Sequence, residues 1–180
     1  MLEQITLNEV LIDAAREVFE TMIFMDIETH GQECPQVSGQ TITSSIHFAS
    51  KQDSDLNING KSMLGSITFT GTLEGCLSIR VGKDCAERIA KNMLGMEPDQ
   101  ELSLNETCDA IGEVANMVMG SIKTRIQDIY TDIQVSIPSV ITGCEMRNTL
   151  GENASKVVAG AWLDEQEAIE FTFLYREAAK

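Results

Sequence analysis

Glu113 and Asn116 are the two residues whose types and spacing could do chemistry together. They stand three apart in SLNETCDAIGEVANMVMGSIKTRIQDIY, residues 103–130, and on a helix positions i and i+3 are neighbours. A carboxylate and a carboxamide one turn apart can act on one small target at the same time. The amide offers donors and an acceptor with no charge, whereas an ionised carboxylate offers acceptors only. The same helical face carries Asp109, Met117, Gly120 and Thr124. A face that merely meets water has no need of a methionine and a helix-interior glycine, so this one reads as presented to something.

The element that must hold the pair is a long helix over the whole stretch, about 40 Å at 1.5 Å per residue. Ser103 with Glu106 spells a capping box at its start. Leu104, Cys108, Ile111, Ala115, Val118, Ile122, Ile126 and Ile129 recur at spacings of three and four and predict the buried stripe opposite the pair.

The rest of the chain reads as support. A first helix is expected from Leu7 to Met25, started by a capping box at Thr6 and Glu9 or by Asn8 as a competing cap, with Leu11, Ala15, Val18, Phe19 and Met22 inward and Asp13, Glu17 and Glu20 outward. A loop at residues 29–39 is followed by a β-branched strand at 40–48 and a polar loop at 50–61. Residues 63–81 predict a hairpin turning near Gly71 to Gly75, then a short helix from Asp84 to Leu94 closed by Gly95. After the long helix comes a strand at 132–142, which Pro138 places at an edge, bulge or strand end. Residues 143–155 read as another loop, and 156–163 with 168–175 as a second hairpin.

That order, helix–strand–hairpin–helix and then helix–strand–hairpin, predicts one domain over residues 1–180 built from a duplicated unit, about 5–81 and 101–175. The expected fold is α+β, layered, with a mainly antiparallel sheet and two long helices packed side by side on it. An offset of 96 residues sets Asp13-Ala14 against Asp109-Ala110 and Glu17-Val18 against Glu113-Val114. Under that alignment Glu20 stands where the second helix has Asn116, so the first copy has Glu-x-x-Glu. Two carboxylates repel an anion; if the target is a phosphoryl group, the first helix is the inactive copy.

Composition bounds the function. The 180 residues carry a net charge of −15, which argues against nucleic acid and against an anionic membrane surface. The opening MLEQITLNEV has no basic n-region or apolar h-region, and no apolar run approaches about 18 residues, the length of a membrane span. Five scattered cysteines without a C-x-x-C pair fit reduced thiols in a cytoplasm. With only His30 and His47, no intrinsic zinc site is expected. No Ser-His-Asp or Cys-His grouping points to a small-molecule hydrolase.

The run DAIGEVANMVMGSIKTRI followed by VSIPSVITG resembles the CheX branch of the CheC/CheX/FliY-type chemotaxis phosphatases. The likeness extends through GSITFTGTLEGCLSIRV and AERIAKNMLG, so it spans about Gly65 to Gly143. It implies a layered fold built from a duplication and an enzyme that hydrolyses the phosphoaspartate of CheY-like response-regulator receivers. CheC-like members keep Glu-x-x-Asn in both copies, and CheX-like members in one. Glu113 and Asn116 match it and Glu20 departs from it, which implies one site per chain. The resemblance gives Glu113 the role of docking to the receiver's lysine, and it implies a homodimer. Asn116 is then the group that positions the attacking water, as an inserted amide can in phosphoryl transfer. The chain needs no cofactor of its own; Mg²⁺ is expected on the partner receiver. Asp109, Met117, Gly120 and Lys123 become candidate receiver contacts. For Met117 the alternative is core packing, for Gly120 packing against the first helix, and for Asp109 and Lys123 simple solvation. Two other classes of function stay open: an adaptor that binds a receiver without hydrolysis, and a structural switch-complex protein.

Overall fold

A computed structural model of the chain describes residues 4–28, 31–33, 45–48, 62–143, 154–163 and 167–178. The expected loop at 50–61, most of the one at 143–155, and the beginning of the first expected strand lie outside the described residues.

The first helix, α1 (Gln4–Val18), passes directly into one wide π-helical turn (Phe19–Ile23). It already includes Gln4 and Ile5, so it begins ahead of Thr6 and Asn8, the expected capping positions. The π-turn adds one residue to its turn and advances the phase. Ile23 is therefore fully buried, and Met22, expected inward, is 55% exposed. Phe24 ends the element in a left-handed conformation with φ of 59°. Short strands β1 (Ile27–Glu28), β2 (Gly31–Glu33) and β3 (Ser45–Phe48) follow, the first two within or beside what the sequence suggests is loop.

The long hairpin is formed by β4 (Ser62–Thr70) and β5 (Leu73–Gly82), turning at Gly71-Thr72. Helix α2 (Lys83–Leu94) ends on Gly95 at φ of 62°, the left-handed cap that glycine adopts without steric cost. Helix α3 (Leu104–Ile126) begins in a complete capping box: the Ser103 hydroxyl accepts from the Glu106 N–H, and the Glu106 carboxylate accepts from the Ser103 N–H. The expected strand around Pro138 is two pieces, β6 (Gln134–Val135) and β7 (Ser139–Gly143), broken at the proline and both paired to β4. A second hairpin, β8 (Ser155–Leu163) and β9 (Glu167–Glu177), completes the sheet.

The strands lie in the order β2-β3-β8-β9-β5-β4-β6, with β7 also on β4 and β1 also on β8. Every described pairing is antiparallel except β3 with β8. Each hairpin thus has its second strand at the centre, β5 against β9, and its first strand beside a strand from the other half of the chain. The fold is α+β, with α1, α2 and α3 against the sheet face formed by Met63, Ile67, Leu77, Ile79, Phe171 and Phe173. Burying one such side chain contributes about 1.5–3 kcal/mol.

Beyond the end of α3 the chain is tied back to the hairpin turn. The Asp132 carboxylate accepts from the Thr72 N–H at 2.8 Å and from its hydroxyl at 2.9 Å, and these bonds hold its pKa below the ordinary value. A folded pKa below the unfolded one stabilises the fold above the unfolded pKa and stops doing so as pH falls through the folded pKa. We expect Asp132→Asn to melt below wild type at neutral pH, with the difference in Tm closing as pH falls below about 4, the usual aspartate value. Thermal melts of both proteins across that range check it.

Candidate functional site

Helix α3 lies over a cross-strand row in which Val140, Gly65, Ile79, Phe171 and Ala159 are partners on neighbouring strands. Pairing partners share a face of the sheet. Here it is the helix-facing one: Phe19 meets Phe171 edge-on at 5.9 Å, and a Cβ built on Gly65 would lie 2.9 Å from Ile111 Cγ2. Pro138, just ahead of β7, and Val140 within it flank Gly112, each 3.6 Å from where its Cβ would be. This floor sits under the turn that carries Glu113.

Ile111, Ala115, Val118, Ile122 and Ile126 are buried as the spacing predicts. Leu104 and Ile129, expected inward, are 55% and 53% exposed, and Cys108 is only partly covered. Leu104 opens the helix and Ile129 lies beyond its last residue, so both overhang the packed region. In the middle the buried surface is wider than one stripe. Thr107, Ala110, Gly112, Val114 and Met119 are also covered, because α1, α2 and the sheet all pack on α3.

Between Cys108 and Thr124 what remains in solvent is narrow: Asp109, Glu113, Asn116, Gly120 and Thr124. Glu113 and Asn116 are side by side, the Asn116 Nδ2 pointing its donor at Glu113 Oε2 from 3.5 Å. At that length the bond is weak, so both groups are free to turn to another partner. Met117 is half-buried and packs against the core, so the packing alternative describes it and it is not part of the open face. Lys123 is half-buried. At Gly120 a Cβ would meet nothing within 4 Å among the described residues, so tight packing against α1 is not the reason for this glycine.

One interaction has little sequence signal. Glu17 of α1, the counterpart of Glu113 in the 96-residue offset, is engaged by α3. Its carboxylate accepts from the Ser121 hydroxyl at 2.6 Å and pairs with Arg125 at 2.9 Å. These bonds, the serine's first, hold the Glu17 pKa below the ordinary value. Ser121 and Arg125 are four apart on one flank of α3, which is visible in the sequence; that the flank faces α1 is not. On Glu17's own helix, Arg16 lies 4.0 Å from Glu20 and 3.2 Å from Asp13. Among the described residues no group of three or more His, Cys, Asp or Glu side chains could hold a metal ion, and no helix is long and apolar enough to cross a membrane.

The family described as "Chemotaxis phosphatase CheX" matches residues 63–160, more than half of the chain. The chain belongs to the CheX family. The matched residues include β4 from Met63 on, β5, α2 and all of α3 with Glu113 and Asn116. A Thermotoga maritima protein named CheY-P phosphatase CheX is 29% identical over 89 residues, covering 48% of this chain and 55% of that protein. The chain thus spans about half the length of the curated CheX relative it matches. The fold is shared with CheX from Desulfovibrio desulfuricans, at a TM-score of 0.70 and 20% identity over 95% of this chain and 99% of that one. It is also shared with Borrelia burgdorferi CheX, solved in a CheX-CheY-BeF3-Mg²⁺ complex, at a TM-score of 0.66 and 19% identity over 98% of this chain and 100% of that one.

Proposed function

We propose that this CheX-family chain is a protein phosphatase that accelerates hydrolysis of the phosphoaspartate on a CheY-like receiver domain. The observation that carries the reading is the pair Glu113 and Asn116, adjacent and solvent-facing on a helix whose middle is otherwise largely buried. An acyl phosphate is already activated, and the receiver supplies Mg²⁺, which neutralises the phosphoryl oxygens. The remaining requirement is a water held in line with the scissile bond. Its oxygen bonds to phosphorus, the P–O bond to the aspartate breaks with its electrons passing to the carboxylate, and the water's proton goes to solvent.

Asn116 does the holding. Its amide can accept from and donate to the same water, and it places no negative charge beside the phosphoryl group. Glu113 pairs with the receiver's active-site lysine and fixes the register of the helix on the partner. Asp109, Gly120 and Lys123 contribute to the docking face. Two observations support one site per chain: Glu17 is already engaged by Ser121 and Arg125, and Glu20 supplies a second carboxylate where α3 has an amide. The strand order, with β5 against β9 at the centre and each first hairpin strand beside the other half, supports an origin by duplication. A homodimer in the cytoplasm completes the reading, as the family resemblance implies.

The test is incubation of a phosphorylated CheY-like receiver with and without the protein, following loss of the phosphoryl group. Faster loss is expected. Tight binding with no faster loss would make the chain an adaptor instead.

Gly120 gives a prediction of opposite signs. Alanine there gains helix propensity of about 1 kcal/mol, and its methyl meets nothing within 4 Å among the described residues. We expect Gly120→Ala to raise Tm by roughly 2–4 °C for a protein of this size. If the glycine admits a partner closely, kcat/KM toward the phosphorylated receiver falls several-fold in the same protein. Melting curves and receiver kinetics on one preparation read both.

A further inference from the structure

We infer that Gly65, on β4 beneath α3, is a positioning residue for the Glu113–Asn116 pair: its missing side chain sets the height of the helix above the sheet. The inference rests on the phosphatase reading just given. A Cβ at Gly65 would lie 2.9 Å from Ile111 Cγ2 and 3.1 Å from the Ile111 carbonyl oxygen. The first contact is with the branch of a fully buried isoleucine, whose χ1 is held to one rotamer in a helix, and the second is with helix backbone, which can respond only by moving. Gly65 has an ordinary strand pairing on both sides, with Ile79 and Val140, so its backbone conformation does not call for glycine. Proximity to Ile111 does.

The helix is anchored elsewhere, which turns a push at Ile111 into a tilt. Ser121 and Arg125 are bonded to Glu17 on α1, and Ile122 and Ile126 are buried beneath them. Ile111 lies roughly 16 Å along the axis from Ile122 at 1.5 Å per residue. Raising the helix by a few tenths of an ångström at Ile111 shifts Glu113 nearly as far and Asn116 about half as far, leaving Lys123 in place. Both members of the pair would leave their places, the docking carboxylate further than the amide, while the Lys123 end of the helix stayed where it is.

Gly112 supplies the control. A Cβ there would be 3.6 Å from both Pro138 and Val140, an ordinary contact, so Gly112→Ala should leave the helix where it is.

The experiment measures kcat and KM for a phosphorylated CheY-like receiver. A displacement of about 1 Å costs roughly 100-fold, so a few tenths should cost about 3- to 10-fold. Gly65→Ala is expected to lower kcat by that factor, with KM rising as well because Glu113 shifts with the helix. Adding Ile111→Leu, which removes the β-branch facing residue 65, should restore part of the loss, and Gly112→Ala should match wild type. A wild-type kcat in Gly65→Ala, a loss confined to KM, or no recovery on adding Ile111→Leu overturns the inference. Should Gly65→Ala not fold, Ile111→Phe lifts the helix from the other side of the same contact and must show the same kcat loss; a wild-type kcat there overturns the inference equally. If wild type itself does not accelerate dephosphorylation, the phosphatase reading fails; if it does and Gly65→Ala equals it, only the role of Gly65 fails.

Discussion

Replacing Asn116 with alanine is expected to slow receiver dephosphorylation by about 100-fold, the cost of losing the orientation of a reacting group. The side chain is exposed, and its one described hydrogen bond, to Glu113, is 3.5 Å long, so folding should be untouched. Binding should also survive, because the docking contact assigned to Glu113 remains. The expected pattern is therefore a fall in kcat with KM little changed. Asn116→Asp sharpens the result: it keeps the shape, loses the N–H donors and adds a negative charge beside the phosphoryl group. It should be at least as poor as alanine. Near-normal turnover in either variant would remove Asn116 from the mechanism and leave the family membership standing.

The largest effect on stability is expected at Gly75, far from that pair. Gly75 of β5 lies between Phe69 of β4 and Tyr175 of β9. With no side chain there, the Phe69 ring leans across β5 and stacks on Phe173 of β9, centroids 5.0 Å apart and planes 11° from parallel. Tyr175 extends the cluster, 5.7 Å from Phe173. A Cβ on Gly75 would sit 2.0 Å from the Leu174 carbonyl oxygen and 2.6 Å from Phe69 Cζ. Neither contact can be borne, so both the β5–β9 pairing and the aromatic stack must shift. Overpacking of this kind costs about 3 kcal/mol or more, and aromatic pairs add about 0.5–1.5 kcal/mol beyond the area they bury. Gly75→Ala should therefore lower Tm by roughly 6–12 °C, at 2–4 °C per kcal/mol. A variant that melts with wild type would mean that the sheet accommodates the methyl by a route other than displacement.

Gly65, Gly75 and Gly120 show why sequence carried some of this molecule and not the rest. Each is a glycine in a regular element, and in the sequence they look alike. One makes room for a helix, one for a ring reaching over a strand, and one borders open space. The difference lies entirely in residues from distant parts of the chain. Local chemistry, by contrast, was readable. The capping box at Ser103 and Glu106, the Gly95 stop, the long hairpin and the proline break in the strand after α3 are set by neighbours a few positions away. The inward face of α1 was readable up to Phe19 and then lost at Met22, because nothing in a heptad-like pattern announces a π-turn. At the candidate site, spacing found Glu113 and Asn116 and placed them together on an open face. It could not say that Met117 packs into the core, nor that Glu17 is held by α3, since both depend on what lies beside the helix.

The central seam of the sheet has a consequence for how the molecule is made. β5 finds its second neighbour only in β9, where Val81 pairs with Ile169 and Leu73 with Glu177. About ninety residues must be synthesised between the two. At 5–20 residues per second that is roughly 5–18 s during which β5 has one side open on a growing chain. During that interval β5 is an unpaired edge, and on a polysome the nearest matching edge belongs to a neighbouring nascent copy. Slowing translation between α2 and β8 should therefore lower the yield of native protein, and binding of a chaperone to the first hairpin should restore it.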